Sequence, residues 1–475
     1  MRNHPFRILL VSAAVLLPCF WHRHIEASDL GSHLYNGWLA QLITRGQAPG
    51  LWLSRQKTNV LFDLLLSAIG PALGWMAAEK IAASLCVLIF FWGVFAFVAS
   101  ATQRAPWFLT PVIALVTYGY TFEMGLLNYY LALGLSFFCI AILWRGASWE
   151  KVAAVPLAAL CVMAHPFGLI WLVCAITYIA VAERVPLRYQ FVLVLAAAGA
   201  IFFVHYYFWH HFIYEAEPDP FYRFTGADQL LLYGERYRIA ERLLIGFAVV
   251  ALIVDILRRR REPGLWKAYA LPLQLYVLAE LAVFLFPRGV HFPHHVAIAL
   301  ITERLTSISA AAGCCLLGVM KPRRWHLAAS LGIAAIFFAF LYQDTATINK
   351  IEERVASAVR TVPPNQRVLA TILAPPEWRI LIQHIADRAC IGYCFSYGNY
   401  EPGSEVFRVR ATPGNPYVMD DYEDAVDMEE GDYVVRPEDL PAYQVFQCSA
   451  TGMDICIRSL QAGEENNRLG VYQDQ

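Results

Sequence analysis

Glu26, Asp29, His33 and Asn36 recur at spacings of three and four just after the first apolar run of the chain, Phe6 to Trp21. On a helix those spacings share one face. Ionisable groups at a bilayer edge are costly to desolvate and mark a candidate site by default. A carboxylate held there can have the raised pKa that suits a base acting on a hydroxyl. A second acid, Glu123, sits in the tight segment Thr121-Phe122-Glu123-Met124-Gly125. Arginine binds phosphate oxygens through a planar fork, and the candidates are Arg23, Arg288 and Arg304, with His291 beside Arg288. His165, Asn36, His294 and His295 are expected to line the same cavity. Each has a plainer reading. Asp29 can serve only the helix dipole, Glu123 can be a loop charge, and His165-Pro166 can be turn chemistry. His291-Phe292-Pro293-His294-His295 could hold a metal, although Pro293 breaks helical spacing and no carboxylate is near in sequence.

The elements that must position these residues are membrane spans. Hydrophobic residues make up 58% and charged residues 16% of the chain, with a mean hydropathy of +0.45. A soluble chain runs nearer ~45–50% apolar and ~25% charged. Apolar segments of about bilayer length are expected at 6–21, 76–100, 107–122, 125–144, 152–164, 167–182, 189–211, 241–257, 268–287, 297–319 and 325–342. Phe6 to Trp21 reads as an uncleaved span, because no small-x-small cleavage site follows it. With the N-terminus in the cytoplasm, eleven spans place Arg104, Arg145, Lys151, Arg184, Arg188, the Arg258–Arg261 run and Lys321 on the cytoplasmic side, as the positive-inside rule requires. Ten of the 13 histidines then fall at or near the outer face, which points to a working cavity there.

Two domains are expected, a multi-span membrane domain over 1–342 and a small exported α/β domain over 343–475. Residues 343–475 hold 11 Lys/Arg and 21 Asp/Glu, net −10, against +9 for residues 1–342. That balance argues against nucleic-acid binding. In the long first outer loop, 22–75, Ser28 is expected to cap a helix from Asp29 to about Thr44. Its stripe of Leu30, Leu34, Trp38 and Leu42 suggests a helix lying in the interface plane. A second short helix or half-span is expected over 59–73, and a lid over 212–240 that carries Glu215, Glu217, Asp219, Tyr222 and Arg223. His205 and Glu280 are expected to pair or to line the cavity.

The tail reads as a helix at 345–360, a strand at 367–373, a helix at 377–388 and a strand-rich remainder. Its hairpin, 445–448 and 455–458, turns at Thr451-Gly452. Seven of the eleven cysteines lie in spans; Cys390, Cys394, Cys448 and Cys456 lie in the tail. An even count in an oxidising compartment suggests two disulfides with three pairings. Cys448–Cys456 across the hairpin is favoured, which leaves Cys390–Cys394; a zinc site is the rival.

The arrangement resembles the GT-C superfamily of multi-span glycosyltransferases, which includes protein O-mannosyltransferases and the lipid A aminoarabinose transferase. The resemblance rests on the long first outer loop with Asp29 and His33, on Glu123 in the next outer loop, and on the trailing exported domain. Family members often have two adjacent acids where Asp29 here precedes Leu30. The resemblance implies transfer of a sugar from a polyprenyl-phosphate donor to a lipid, glycan or protein acceptor at the outer face. Asp29, Glu123 and His33 would be catalytic; Arg288, His291, Arg304 and Arg23 would hold the donor phosphate. No cofactor is certain and a divalent metal stays open. Membrane lipids are implied partners, nucleic acid is not, and short loops favour a bacterial inner membrane with the tail in the periplasm. The alternatives are a secondary transporter or flippase of a lipid-linked or small polar solute, and a non-catalytic envelope assembly protein. A transporter would show paired repeats and midplane charges, whereas the charges here crowd one face. No GxGxxG or GxxxxGK[ST] precedes a helix, which argues against a nucleotide-powered mechanism.

Overall fold

Nearly every long apolar run folds as helix, since a backbone away from water must hydrogen-bond to itself. A computed structural model describes residues 4–292, 298–449 and 454–466. The chain is mostly helical with a small C-terminal sheet, and divides into two units, Met1–Leu17 with Ser84–Leu341 and Pro18–Ala83 with Tyr342–Gln475.

In the first unit, Leu127–Arg145, Ala154–Ala164, Pro166–Ala182, Gln190–His211, Tyr237–Arg259, Leu265–Leu285 and Ile301–Gly318 are helices. Among the described residues five helices are long and apolar enough to cross a membrane: Trp75–Thr102, Leu127–Arg145, Leu187–His211, Leu265–Leu285 and Arg324–Val359. The expected span at 107–122 is broken into a 3-10 turn (Trp107–Leu109), a helix (Thr110–Thr117) and a single turn (Tyr120–Glu123). Gly119, in extended backbone, makes the last break, where a β-carbon would press on Gln229 at 3.0 Å. Glu123 therefore ends a helical turn rather than sitting in an open loop. The helices 154–164 and 166–182 stay separate because Pro166 drives His165 to an extended conformation and opens the next helix itself.

The expected break between a span at 325–342 and a helix at 345–360 is absent. One helix runs Arg324–Val359, for no Gly or Pro interrupts 333–361 and every residue from Gln343 to Asn349 tolerates helix.

The second unit has a four-stranded sheet in the order Phe395–Ser396, Arg367–Thr371, Ala442–Gln447, Ile455–Ser459. The first three strands are parallel and the last pairs antiparallel with its neighbour. Leu369, Tyr397, Ala425, Met428 and Ala442 form its core. The expected helix at 377–388 shrinks to Ile385–Cys390. Ile380 and Ile382 are buried while Leu381 between them is exposed, the period of two that suits extended chain. A helix not expected from the sequence, Tyr422–Glu430, is capped by the Asp421 side chain and ends at Gly431 (φ 89°).

The first outer loop folds into the same unit as this sheet. Its strand Leu51–Leu53 pairs antiparallel with Val409–Ala411, and its helices Leu30–Thr44 and Leu61–Leu73 pack together. The Leu30–Thr44 helix is not a one-sided interfacial helix: Leu30 to Gly37 are all buried. Its polar residues can be enclosed because each finds a partner, as follows. Both tail disulfides, Cys390–Cys394 and Cys448–Cys456, are formed. The turn residues Thr451 and Gly452 lie outside the described residues.

Candidate functional site

Asp29, not Ser28, occupies the N-cap position of the Leu30–Thr44 helix, and its side chain makes no capping bond. The carboxylate is turned instead toward the tail, where its Oδ1 lies 3.6 Å from His384 Nε2. His384 precedes the Ile385–Cys390 helix, and its other ring nitrogen faces Glu429 at 3.3 Å and Asp387 at 3.5 Å. The Asp29 side chain is 20% exposed and that of His384 4%, so the chain of groups runs from the surface inward. Burial works against charge on His384, but Glu429 and Asp387 raise its pKa well above the usual imidazole value. Burial also raises the Glu429 carboxyl, with His384 opposing. Ser396 donates to Asp387, fixing its second oxygen.

One helical turn on, the His33 Nδ1–H donates to Asp63 Oδ1 at 2.7 Å. Burial disfavours the imidazolium, yet Asp63, with Glu401 and Asp29 adding to it, outweighs burial and the His33 pKa rises to about 9. Ser32 donates to Glu401 at 2.9 Å. Burial pushes the Glu401 carboxyl up to about 7, with His33 pulling it down. Asn36 and Asn399 exchange amide hydrogen bonds at 2.9 and 3.3 Å, so Asn36 clamps the helix to the tail. Tyr35 accepts from the Ser396 N–H at 2.9 Å.

Arg388 anchors the segment leading to Asp29. It donates to the Ile25 carbonyl at 2.6 Å and to Glu352 at 2.9 Å, and lies 3.7 Å from both Glu26 and Glu79. Burial opposes its charge, but Glu352 and then Glu79 hold the guanidinium firmly protonated. Glu26, pushed well up by burial and then by Glu352, favours its neutral form. It belongs to this anchor rather than to the face of Asp29. Arg23 is exposed.

The other expected residues belong to the first unit. Glu123 is buried and accepts from the Tyr233 hydroxyl at 3.0 Å. Arg288 is half exposed, 3.6 Å from Glu303; His291 bonds Glu215 at 2.6 Å. Arg304 donates to the Ala299 carbonyl and lies over the Tyr129 ring. His165 caps the following helix, accepting from Phe167 N at 3.2 Å, with its ring edge-on to Tyr129. That is the turn role. His294 and His295 lie outside the described residues. His205 and Glu280 do not pair: His205 meets Tyr214 at 3.1 Å, and Glu280 accepts from the Thr225 N–H and Ser309. Arg223, expected on a lid, is buried between Glu217 (2.5 Å), Glu303 (2.7 Å) and Asp228 (3.6 Å).

Asp63, His384, Asp387, Glu401, Glu429 and Arg388 were not expected at a site. Four had a readable signal. His384, Asp387 and Arg388 share the spacings of three and four that singled out the first-loop residues, and Asp63 is the lone charge in an apolar run. Among the described residues no group of three or more His, Cys, Asp or Glu is disposed to hold a metal ion. No known protein family, curated protein or solved structure matches this chain.

Proposed function

We propose that this protein is a membrane glycosyltransferase of GT-C type, using a polyprenyl-phosphate-linked sugar, with Asp29 as the base. The observation that carries this reading is the partly exposed Asp29 carboxylate at the rim of a buried set of acids and histidines. An acid committed only to its helix would cap it, and Asp29 does not. In the reaction the acceptor hydroxyl gives its proton to Asp29 as its oxygen attacks the anomeric carbon. The carbon–oxygen bond to the phosphate breaks and the polyprenyl phosphate leaves with the electron pair. Arg23 is the arginine candidate exposed in the same unit as Asp29.

Eleven spans with a cytoplasmic N-terminus and an exported tail remain the topology of this proposal. Its support is the basic short connections, and two tail disulfides of the kind that persist in oxidising compartments. The helix Gln190–His211 has no buried residue and leaves Phe191, Phe203 and Trp209 uncovered, which suits lipid contact. The test is Asp29→Asn in a membrane transfer assay with polyprenyl-phosphate sugar. Loss of at least about a hundredfold in turnover, the scale of a lost general base, is expected at normal abundance. Unchanged turnover would sink the assignment.

A further inference from the structure

We propose that His384 is a positioning residue that holds Asp29 ionised and aimed outward, with Asp387 and Glu429 behind it holding the imidazolium. The proposal deepens the reading of Asp29 as a base and rests on it for its catalytic meaning. Three independent features of the geometry carry it.

First, the two ring nitrogens of His384 are divided between the surface and the interior. Nε2 faces Asp29, while Nδ1 faces Glu429 and Asp387. At 3.3 to 3.6 Å these are contacts between charges rather than hydrogen bonds, and an imidazolium attracts the acids on both sides where a neutral ring would not. The sequence of groups is acid, imidazolium, acid, with the outer acid the most exposed of them.

Second, the two backbones are brought together at this point. A β-carbon at Gly31 would lie 2.5 Å from the His384 carbonyl oxygen. Only glycine lets the first turn after Asp29 approach the residue that faces it. The arrangement is thus built into both segments rather than left to two long side chains.

Third, the short helix that follows His384 is fastened on both sides. Arg388 grips the Ile25 carbonyl four residues before Asp29, and Cys390 is bonded to Cys394. Asp387 is fixed by Ser396.

The groups around Asp29 set the direction of the effect. His384 and His33 are the cations facing it; Glu401 and Glu429 are the acids, and Tyr400 is the phenol. Removing the charge of His384 leaves Asp29 among carboxylates, which favours its protonated form. Removing Glu429 takes away the acid that does most to hold the imidazolium, so the cation facing Asp29 weakens and the protonated form of Asp29 is again favoured.

A substrate-free measurement reads this. Dicyclohexylcarbodiimide adds to protonated carboxyls, and the Asp29 peptide can be quantified by mass spectrometry across pH in native membranes. The Asp29 labelling midpoint is expected to rise by about one pH unit or more in His384→Gln, a tenfold gain in labelled fraction at fixed pH. It is expected to rise in the same direction, by less, in Glu429→Gln, where Asp387 still faces the ring. The exposed Glu377 is the internal control and should not move. If His384→Gln fails to accumulate, the Glu429→Gln shift decides alone. An unmoved Asp29 midpoint in the accumulating variants overturns the proposal. Because labelling needs no turnover, that failure is distinct from failure of the base assignment, which Asp29→Asn reads by transfer.

Discussion

At the scale of single residues, the buried histidines of the second unit owe their charge to carboxylates placed against one ring nitrogen. His33 is the case with a measurable pH signature. Its folded pKa of about 9 lies above the ordinary 6.5. The His33–Asp63 pair therefore contributes stability that is full below about 6.5 and is lost as pH rises through about 9. Glu401 acts in the same direction in a lower window, because the stability from its carboxyl, raised from 4.5 to about 7, is full below about 4.5 and is lost as pH rises through about 7. The thermal midpoint of the purified protein is expected to fall steadily between about pH 6.5 and 9. Asp63→Asn should lower the midpoint at pH 6 and flatten that fall. A wild-type profile without slope in this window would refute the pairing. The acids of the first loop were legible from spacing alone; their partners were not, since Asp63, Glu401 and His384 lie 30 to 369 residues from the side chains they meet.

At the scale of elements, small residues decide how closely helices approach. In the first unit, a β-carbon at Gly134 would lie 2.8 Å from Phe90 Cα, and one at Gly93 would collide with the Gly134 carbonyl. The helices Trp75–Thr102 and Leu127–Arg145 thus cross at backbone contact, as small residues allow between apolar helices. Gly134→Leu is expected to cost about 1–3 kcal/mol by overpacking, read as a lowered thermal midpoint. Gly199→Ala, in open space on the helix Gln190–His211, should leave it unchanged or slightly raised. Equal effects at the two sites would sink the close-crossing argument. Helix existence was legible from long apolar runs with bounding Pro and Gly. Helix ends were less so. The run 324–359 continues because nothing stops it, and 377–384 leaves helix because alternate burial of Ile380 and Ile382 favours extended chain.

At the scale of the whole molecule, the proposed orientation makes one accessible prediction. Lys350 and Lys267 are both solvent-exposed, yet the eleven-span topology puts them on opposite sides of the membrane. A membrane-impermeant amine reagent applied to right-side-out vesicles should modify Lys350 and spare Lys267 until the vesicles are opened. Labelling of Lys267 first would invert the orientation and remove the outer-face site. The long apolar runs by themselves pointed to a mostly helical chain, because a helix satisfies every backbone group within one segment. The position and spacing of Glu26, Asp29, His33 and Asn36 were likewise written in the sequence. What only the tertiary structure decided is that the first loop and the tail form one unit. There Asp29 meets His384 and Glu26 turns away to Arg388. Buried polar groups take partners by proximity in space, and proximity over hundreds of residues leaves no period in the chain to read.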